Sequence, residues 1–281
     1  MIEIVPVKTE KDKLQFIKSQ WNFYKNDPYF VPPLIMDRKK LLDQKKNPFY
    51  KHSEMQLWVA RENGQIVGRI AGIVNRNHNE VHKDKVGFFG FFECANRQDV
   101  ANALFDTAKK WLRERGMDTM RGPVNPSMND ECGLLVDGFD DTPRVLMTYN
   151  PRYYMGLMDG YGLKKARDLY AWKITREKVI TPKLERVAKM VEERGRVKIR
   201  TINMKDIKGE LARVKKIYNK AWVPNWGFVP MTDDEFDFIA ADMKSIVNPK
   251  YVFFAEINGE PVGFSLTLPD LNEVLHSNKG G

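Results

Sequence analysis

Cysteine is scarce in this sequence, and long apolar runs are missing. The 281 residues include two cysteines, Cys94 and Cys132, which are too few for a disulfide framework. Free, buried thiols are the expected state of both in a reducing compartment. No apolar run is long enough to cross a bilayer, and the N-terminal MIEIVPVKTEKDK lacks the apolar region of a signal peptide. We therefore expect a cytoplasmic protein without a membrane partner.

Continuous basic faces are also lacking, although the formal net charge is +9. Short basic clusters occur at 38–40 and 45–46, but no predicted helix combines a basic face with interleaved aromatic residues. Nucleic-acid-binding domains concentrate their charge on one face or helix. A nucleic-acid partner is therefore not favoured, and part of the charge is expected to face an anionic small molecule.

The chain contains an internal repeat. The stretch LWVARENGQIVGRIAGI begins at Leu57, and VFFAEINGEPVGFSLTL begins at Val252, 195 positions later. In each stretch two apolar runs flank an Asn-Gly pair, which tolerates the positive φ angles of a type I′ turn, so each is predicted to be a β-hairpin. Ordered matches at nearly one spacing predict two copies of one folding unit. Two further matches support the repeat: residues 2–12 with 197–207, and residues 30–32 with 228–230.

The order of predicted elements indicates an α/β fold with one mixed sheet and helices on both faces. We predict a first domain at 1–176, a connecting helix at 177–195, and the first half of a second domain at 196–281. Fewer residues follow the second hairpin than the first, so the second copy is expected to be incomplete and to expose a sheet edge. A homodimer that covers this edge is left open. In the first copy, strands are predicted at 2–7, 86–93, 117–124 and 167–174, helices at 98–115 and 151–160, and a loop at 75–85.

This order of elements, together with one motif, resembles the GNAT superfamily of acyl-CoA N-acyltransferases. The motif is NPRYYMGLMDGYGL, from Asn150 to Leu163, in which an asparagine opens a helix that ends before a strand. Leu163 stands where the family usually has phenylalanine. The resemblance covers 1–175 and, through the repeat, 197–268, as in a tandem GNAT protein. It implies transfer of an acyl group from acetyl-CoA or another acyl-CoA to a small-molecule amine, without a metal.

The resemblance also implies a place for the cofactor. In the family the pyrophosphate lies on a Gln/Arg-x-x-Gly-x-Gly/Ala loop at a helix N-terminus, because consecutive backbone amides and the positive helix end bind anions. Here the corresponding loop has no glycine, Asp99 adds a negative charge to it, and Met158 replaces the family's tyrosine acid. The first copy is therefore expected to be degenerate. The candidate cofactor-binding residues are Cys94, Ala95, Asn96, Arg97 and Gln98.

Two carboxylates are candidate catalytic residues. Glu93 ends the central predicted strand, where the family often keeps a catalytic carboxylate; a solvated strand end is the other interpretation. Glu131 belongs to a polar cluster after the next strand, at the sheet edge where α/β proteins bind ligands; a turn-forming loop rich in Asn and Asp is the alternative. The candidate substrate-binding residues are Asn125, Asn129, Asp130 and Tyr154.

The spacing of His78 and His82 does not point to a metal site. Their segment, HNEVH, lacks the HExxH order of zinc proteases and has no further ligand nearby in the sequence. Two functions are left open: N-acyl transfer from acyl-CoA to an amine, and a non-catalytic module that kept the fold and binds a small anion or nucleic acid.

Overall fold

The computed structural model describes residues 1–244 and 246–278 of the chain. The chain divides into two units by contact: unit 1 comprises residues 1–167, 226–229 and those from Asp270 onward, and unit 2 comprises 168–225 and 230–269. The domain limits at 176 and 196 stay a prediction.

Unit 1 is built on a five-stranded mixed sheet in the order β1 (Glu3–Pro6), β2 (Ser53–Glu62), β3 (Gln65–Asn75), β4 (Val86–Cys94) and β5 (Thr119–Arg121). All neighbours are antiparallel except β4 and β5, which are parallel. The predicted first hairpin is confirmed as β2–β3, whose turn residues Asn63 and Gly64 have φ angles of 50° and 78°. In chain order, the elements of unit 1 are β1 (Glu3–Pro6), α1 (Glu10–Lys18), α2 (Ile35–Leu41), β2 (Ser53–Glu62), β3 (Gln65–Asn75), α3 (Arg76–His82), β4 (Val86–Cys94), α4 (Gln98–Arg113), β5 (Thr119–Arg121), β6 (Val124–Asn125), β7 (Glu131–Cys132) and α5 (Tyr154–Tyr161).

Helices cover both faces of this sheet. On one face α4 and α5 bury Leu104, Phe105 and Leu157 against the strands. On the other face Phe16 and Ile17 of α1 pack with apolar residues of β2 to β4. The mixed α/β fold predicted from the sequence is confirmed, and strands β2 to β4 contribute buried apolar residues to both layers.

The strand β4 loses one of its neighbours part-way along its length. It pairs with β3 as far as Cys94, but its parallel pairing with β5 ends at Phe88 and Arg121. A bulge follows, because two residues of β4 oppose one of β3, and Phe91 takes a φ of 48°. The carboxyl end of β4 is therefore open on the β5 side.

Three local predictions from the sequence are wrong. Residues 76–82 form α3 instead of a loop, since the Asn75 side chain accepts the His78 N–H and starts the helix. The strand expected at 117–124 is interrupted at Pro123, which has no N–H to pair. Residues 167–174 form no strand, although their sequence alternates, because alternation alone provides no neighbouring strand to pair with.

Unit 2 has a three-stranded antiparallel sheet in the order β10 (Glu260–Leu266), β9 (Val252–Ile257) and β8 (Val197–Thr201). The predicted second hairpin is confirmed as β9–β10, with Asn258 and Gly259 at φ angles of 53° and 81°. Among the described residues no helix has both the length and the apolar character required to cross a bilayer. The elements are α6 (Arg176–Val179), α7 (Pro182–Glu193), β8 (Val197–Thr201), α8 (Ile207–Trp222), α9 (Asp233–Met243), β9 (Val252–Ile257) and β10 (Glu260–Leu266), after which α10 (Asn272–Asn278) belongs to unit 1.

In unit 1, α3 buries an imidazole against the sheet. The ring of His78 is 4.8 Å from that of Phe88 and 4.4 Å from that of His82, and its Nε2 is 3.5 Å from a carboxylate oxygen of Asp84. Burial is the largest cause that lowers the pKa of His78 to about 4; His82 and Arg121 lower it further, and Asp84 opposes them. At neutral pH this imidazole is therefore uncharged.

We expect the stability of unit 1 to fall as the pH is lowered from about 6.5 to about 4. In that window the unfolded chain binds more protons than the folded one, because the pKa of His78 is lower in the folded state. The resulting loss in the free energy of unfolding reaches at most about 3 kcal/mol. Urea unfolding across this range would measure it. The His78→Gln variant should lose most of this dependence, while the exposed-site control His276→Gln should keep it. An unchanged slope in His78→Gln would contradict the assignment.

Candidate active site

A cleft opens at the carboxyl end of β4, where β5 no longer accompanies it. It encloses about 520 Å³ of empty space, part of which is open to solvent. Phe91, Phe92, Leu134 and Met158 form much of its apolar wall. Its charged and polar lining includes Arg38, Arg69, Glu93, Asn125, Glu131 and Tyr154.

Glu93 is a buried carboxylate at the base of this cleft. It is 4% exposed, so the interpretation of a solvated strand end is wrong. One carboxylate oxygen accepts the Tyr154 hydroxyl at 2.7 Å, and the other lies 3.3 Å from a guanidinium nitrogen of Arg69. Burial raises the pKa of Glu93, and the Arg69 charge is the largest influence against that rise. The site thus holds a carboxylate with a raised pKa beside an open cavity, which is typical of a proton-accepting group.

Arg69 is fixed by the end of a helix. Its Nη1 donates to the carbonyl oxygens of Phe16 and Ile17 at 2.7 and 3.3 Å, and its guanidinium lies 4.8 Å from the Phe16 ring centroid. These carbonyls lie in the last turns of α1, the helix end that favours a cation. Sequence reasoning missed Arg69, yet a lone charged residue inside the apolar strand QIVGRIAGIVN was a signal for it.

A second ion pair also lines the cleft. Arg38 of α2 contacts Glu131 of β7 at 2.6 Å. Asn125 of β6 links this pair to the sheet: its Nδ2 is 3.4 Å from Glu131, and its Oδ1 accepts the backbone N–H of Phe91 at 2.6 Å. The β6–β7 hairpin is therefore attached to the bulge of β4 through one side-chain amide.

The structure brings four of the six predicted catalytic and substrate-binding residues into one cleft. Glu93, Glu131, Asn125 and Tyr154 all line it. The other two do not line it and support the chain between β6 and β7: Asp130 accepts the Ser127 hydroxyl at 2.6 Å, and Asn129 donates to the Val229 carbonyl at 3.0 Å. The catalytic and binding roles themselves stay predictions.

The candidate cofactor loop does not line the cleft, and several of its polar groups already have partners. The Ala95 N–H donates to Val67 O, and the Arg97 N–H donates to Ala95 O. At the start of α4 the guanidinium of Arg97 contacts both carboxylate oxygens of Asp99 at 3.1 and 2.6 Å, and also Glu62 at 2.6 Å. A carboxylate of the chain itself therefore occupies the helix end that a pyrophosphate would need. Residues 94–99 do not fit that group.

Of the remaining loop residues, Gln98 and Cys94 hold neighbouring elements together, whereas Asn96 is exposed to solvent. Gln98 donates to the carbonyl oxygen of Leu157 at 3.0 Å and thereby connects α4 to α5. The Cys94 N–H donates to the Tyr154 hydroxyl at 2.9 Å. Burial raises the pKa of the Cys94 thiol to about 12, which disfavours the nucleophilic thiolate at neutral pH. Among the described residues no group of three or more His, Cys, Asp or Glu side chains could hold a metal ion.

Comparison with known proteins places the chain in a family. The chain is 36% identical over 280 residues to the "Bacterial ceramide synthase" of Caulobacter vibrioides, across 99% of this chain and 73% of that protein. It is 34% identical over 267 residues to "Protein YghO" of Escherichia coli, across 95% of this chain and 68% of that protein. The chain belongs to the bacterial ceramide synthase family. No protein-family model matches it.

Solved structures confirm that this ceramide synthase family member has a GNAT fold. A tandem GNAT protein from the clavulanic acid biosynthesis pathway matches 94% of the chain at a TM-score of 0.51, with 12% identity and 73% of that protein covered. A GCN5-related glucosamine N-acetyltransferase region of a fungal multi-domain β-N-acetylglucosaminidase matches 94% of the chain at 0.52, with 17% identity and 27% of that protein covered. The resemblance inferred from the sequence is therefore correct for the fold.

Proposed function

We propose that this chain acts in N-acyl transfer and that the unit 1 cleft binds the amine acceptor. The observation that carries the proposal is the buried carboxylate of Glu93, which faces the cavity with a raised pKa. A surface carboxylate would be solvated and ordinary in its pKa, whereas a desolvated one binds a proton more readily. The GNAT fold and the membership in the ceramide synthase family support the same reaction class.

In this proposal Glu93 accepts a proton at a defined moment. When a neutral amine is acylated, a C–N bond forms at the acyl carbon, the bond from that carbon to its leaving group breaks, and the nitrogen gives up one proton. The Glu93 carboxylate, which lines the cleft, receives that proton. Arg69 and Tyr154 hold the carboxylate in place through its two oxygens.

The acceptor that we propose is a long-chain amino alcohol. The Caulobacter vibrioides relative is named a ceramide synthase, and a ceramide is a sphingoid base whose amine carries an acyl group. The polar residues Glu131, Arg38 and Asn125 line the same cleft as Glu93 and provide donors and acceptors for hydroxyl groups beside the amine. Apolar walls at Leu134 and Met158 suit the adjoining carbon chain.

The proposed acyl donor is acetyl-CoA or another acyl-CoA, as a substrate and without a metal. Residues 94–99 do not fit its pyrophosphate, so no step is assigned to that loop. The cytoplasmic location and the homodimer stay predictions.

A second candidate function follows from that loop. Asp99 and Arg97 close the anion site by pairing with each other, which favours a non-catalytic module that binds an amine and transfers nothing. This module would retain the cleft and its two ion pairs.

One experiment separates the two candidates. The purified chain is incubated with sphinganine and palmitoyl-CoA, and the N-acylated product is measured by mass spectrometry beside calorimetric binding of each compound alone. We expect product that requires both compounds. Sphinganine binding without product would support the non-catalytic module, and neither binding nor product would contradict both candidates.

A further inference from the structure

The positive charge of the protein is concentrated in one segment of unit 2. Residues 168–225, named here the basic segment, contain 16 Lys and Arg against 7 Asp and Glu, a net charge of +9 (16 − 7). The rest of unit 2, residues 230–269, contains 2 Lys and Arg against 7 Asp and Glu, a net charge of −5 (2 − 7). An anionic partner would therefore be attracted to one part of this unit.

The same basic segment presents large apolar side chains to solvent. Trp172 and Tyr170 are 81% and 75% exposed, and Ile174 and Leu169 are 65% and 54% exposed. The helix α7, which also carries lysines and arginines, adds an exposed row of apolar side chains. The row consists of Leu184, Val187, Met190 and Val191.

We propose that the basic segment docks on the surface of an anionic lipid bilayer. Tryptophan and tyrosine prefer the boundary between lipid headgroups and acyl chains, and aliphatic side chains gain by entering it. Lysine and arginine near the surface are attracted to anionic headgroups. The two signals together give a reversible attachment that either alone would not.

A nucleic acid fits this surface less well. Phosphates would satisfy the lysines and arginines, and bases could stack on Trp172 and Tyr170. The exposed aliphatic row of α7 would gain nothing from either.

The sequence-based expectation of no membrane partner rests on the absence of a membrane-spanning apolar run, and a contact with the membrane surface requires no such run. The docking proposal does not rest on the proposed N-acyl transfer.

Vesicle flotation tests the proposal. The 281-residue protein is mixed with vesicles of phosphatidylcholine alone, or of phosphatidylcholine with phosphatidylglycerol, at low and high salt. We expect binding to the anionic vesicles that weakens with salt, and little binding to the neutral ones. The double variant Tyr170→Ser/Trp172→Ser and the double variant Lys178→Glu/Lys183→Glu should each lower the partition coefficient by about tenfold or more.

Matched controls keep the test decisive. Tyr251→Ser removes an exposed aromatic residue of unit 2 outside the basic segment, and Lys45→Glu/Lys46→Glu reverses a basic pair of unit 1; both should bind like the unaltered protein. Circular dichroism confirms folding of every variant. Equal binding to neutral and anionic vesicles, or the same loss in test and control variants, would overturn the proposal. Tighter salt-sensitive binding to single-stranded DNA than to vesicles, or self-association without vesicle binding, would also overturn it.

Discussion

Replacing Glu93 by glutamine should lower the rate of N-acylation by a factor of roughly 10² to 10⁴, the usual contribution of a positioned proton acceptor. Glutamine keeps the size of the side chain and its contact with Tyr154, but it cannot take the proton from the amine. The measurement is kcat with sphinganine as acceptor, corrected for the folded fraction, together with the affinity for sphinganine. We expect kcat to fall much more than affinity.

The pH dependence gives a separate readout of the same group. With Glu93 present, kcat should fall as the pH drops below the raised pKa of this carboxyl, since the protonated acid cannot accept a further proton. In Glu93→Gln that acidic limb should vanish. The control Glu62→Gln removes a carboxylate that pairs with Arg97 outside the cleft and should leave both rate and profile unchanged. A Glu93→Gln rate close to that of the unaltered protein would exclude Glu93 as the base.

Replacing Arg69 by methionine should lower the free energy of unfolding by about 3–5 kcal/mol, the usual cost of breaking a buried ion pair from one side. The change leaves the Glu93 carboxylate without its cation and removes the donor to the Phe16 and Ile17 carbonyls. Urea unfolding at neutral pH is the measurement. The double variant Arg69→Met/Glu93→Gln should recover part of the loss, because no unpaired charge then remains buried.

In Arg69→Met, the protonation of Glu93 determines whether the free energy of unfolding rises or falls with pH. Without Arg69 the folded-state pKa of Glu93 rises further above its unfolded value, so the folded chain binds more protons between the two values. Stability should therefore decrease as the pH rises through that window. The control Arg38→Met breaks a pair that is partly exposed to solvent and should cost clearly less. Equal losses in the two variants would contradict the role of burial.

Short-range patterns account for the parts of the fold that the sequence predicted correctly. The Asn-Gly pairs give both hairpins, because their positive φ angles are a property of two adjacent residues. The helix α4 follows from the spacing of its apolar residues, such as Leu104 and Ala108. Segments that need a distant partner were less predictable: residues 167–174 alternate like a strand, yet they pair with none in the described structure.

The candidate site shows the same limit. The position of Glu93 at the end of β4 could be read from the chain, whereas its burial depends on Arg69 and Tyr154, which lie 24 and 61 positions away. Asn125 and Asn129 are close in sequence and similar in chemistry, but only Asn125 reaches the cleft. The cleft depends on how β4, α1 and the β6–β7 hairpin meet, which no single stretch of sequence determines.

The contact between Arg69 and Glu93 also constrains how this sequence can change over time. A mutation at either position alone leaves a charge buried without its counterpart, so the first step toward any other pair passes through a poorly folded intermediate. The residues at these two positions, one on β3 and one on β4, are therefore expected to change together. A relative that carried out no proton transfer in this cleft would still be held to the same two residues by the stability of its core.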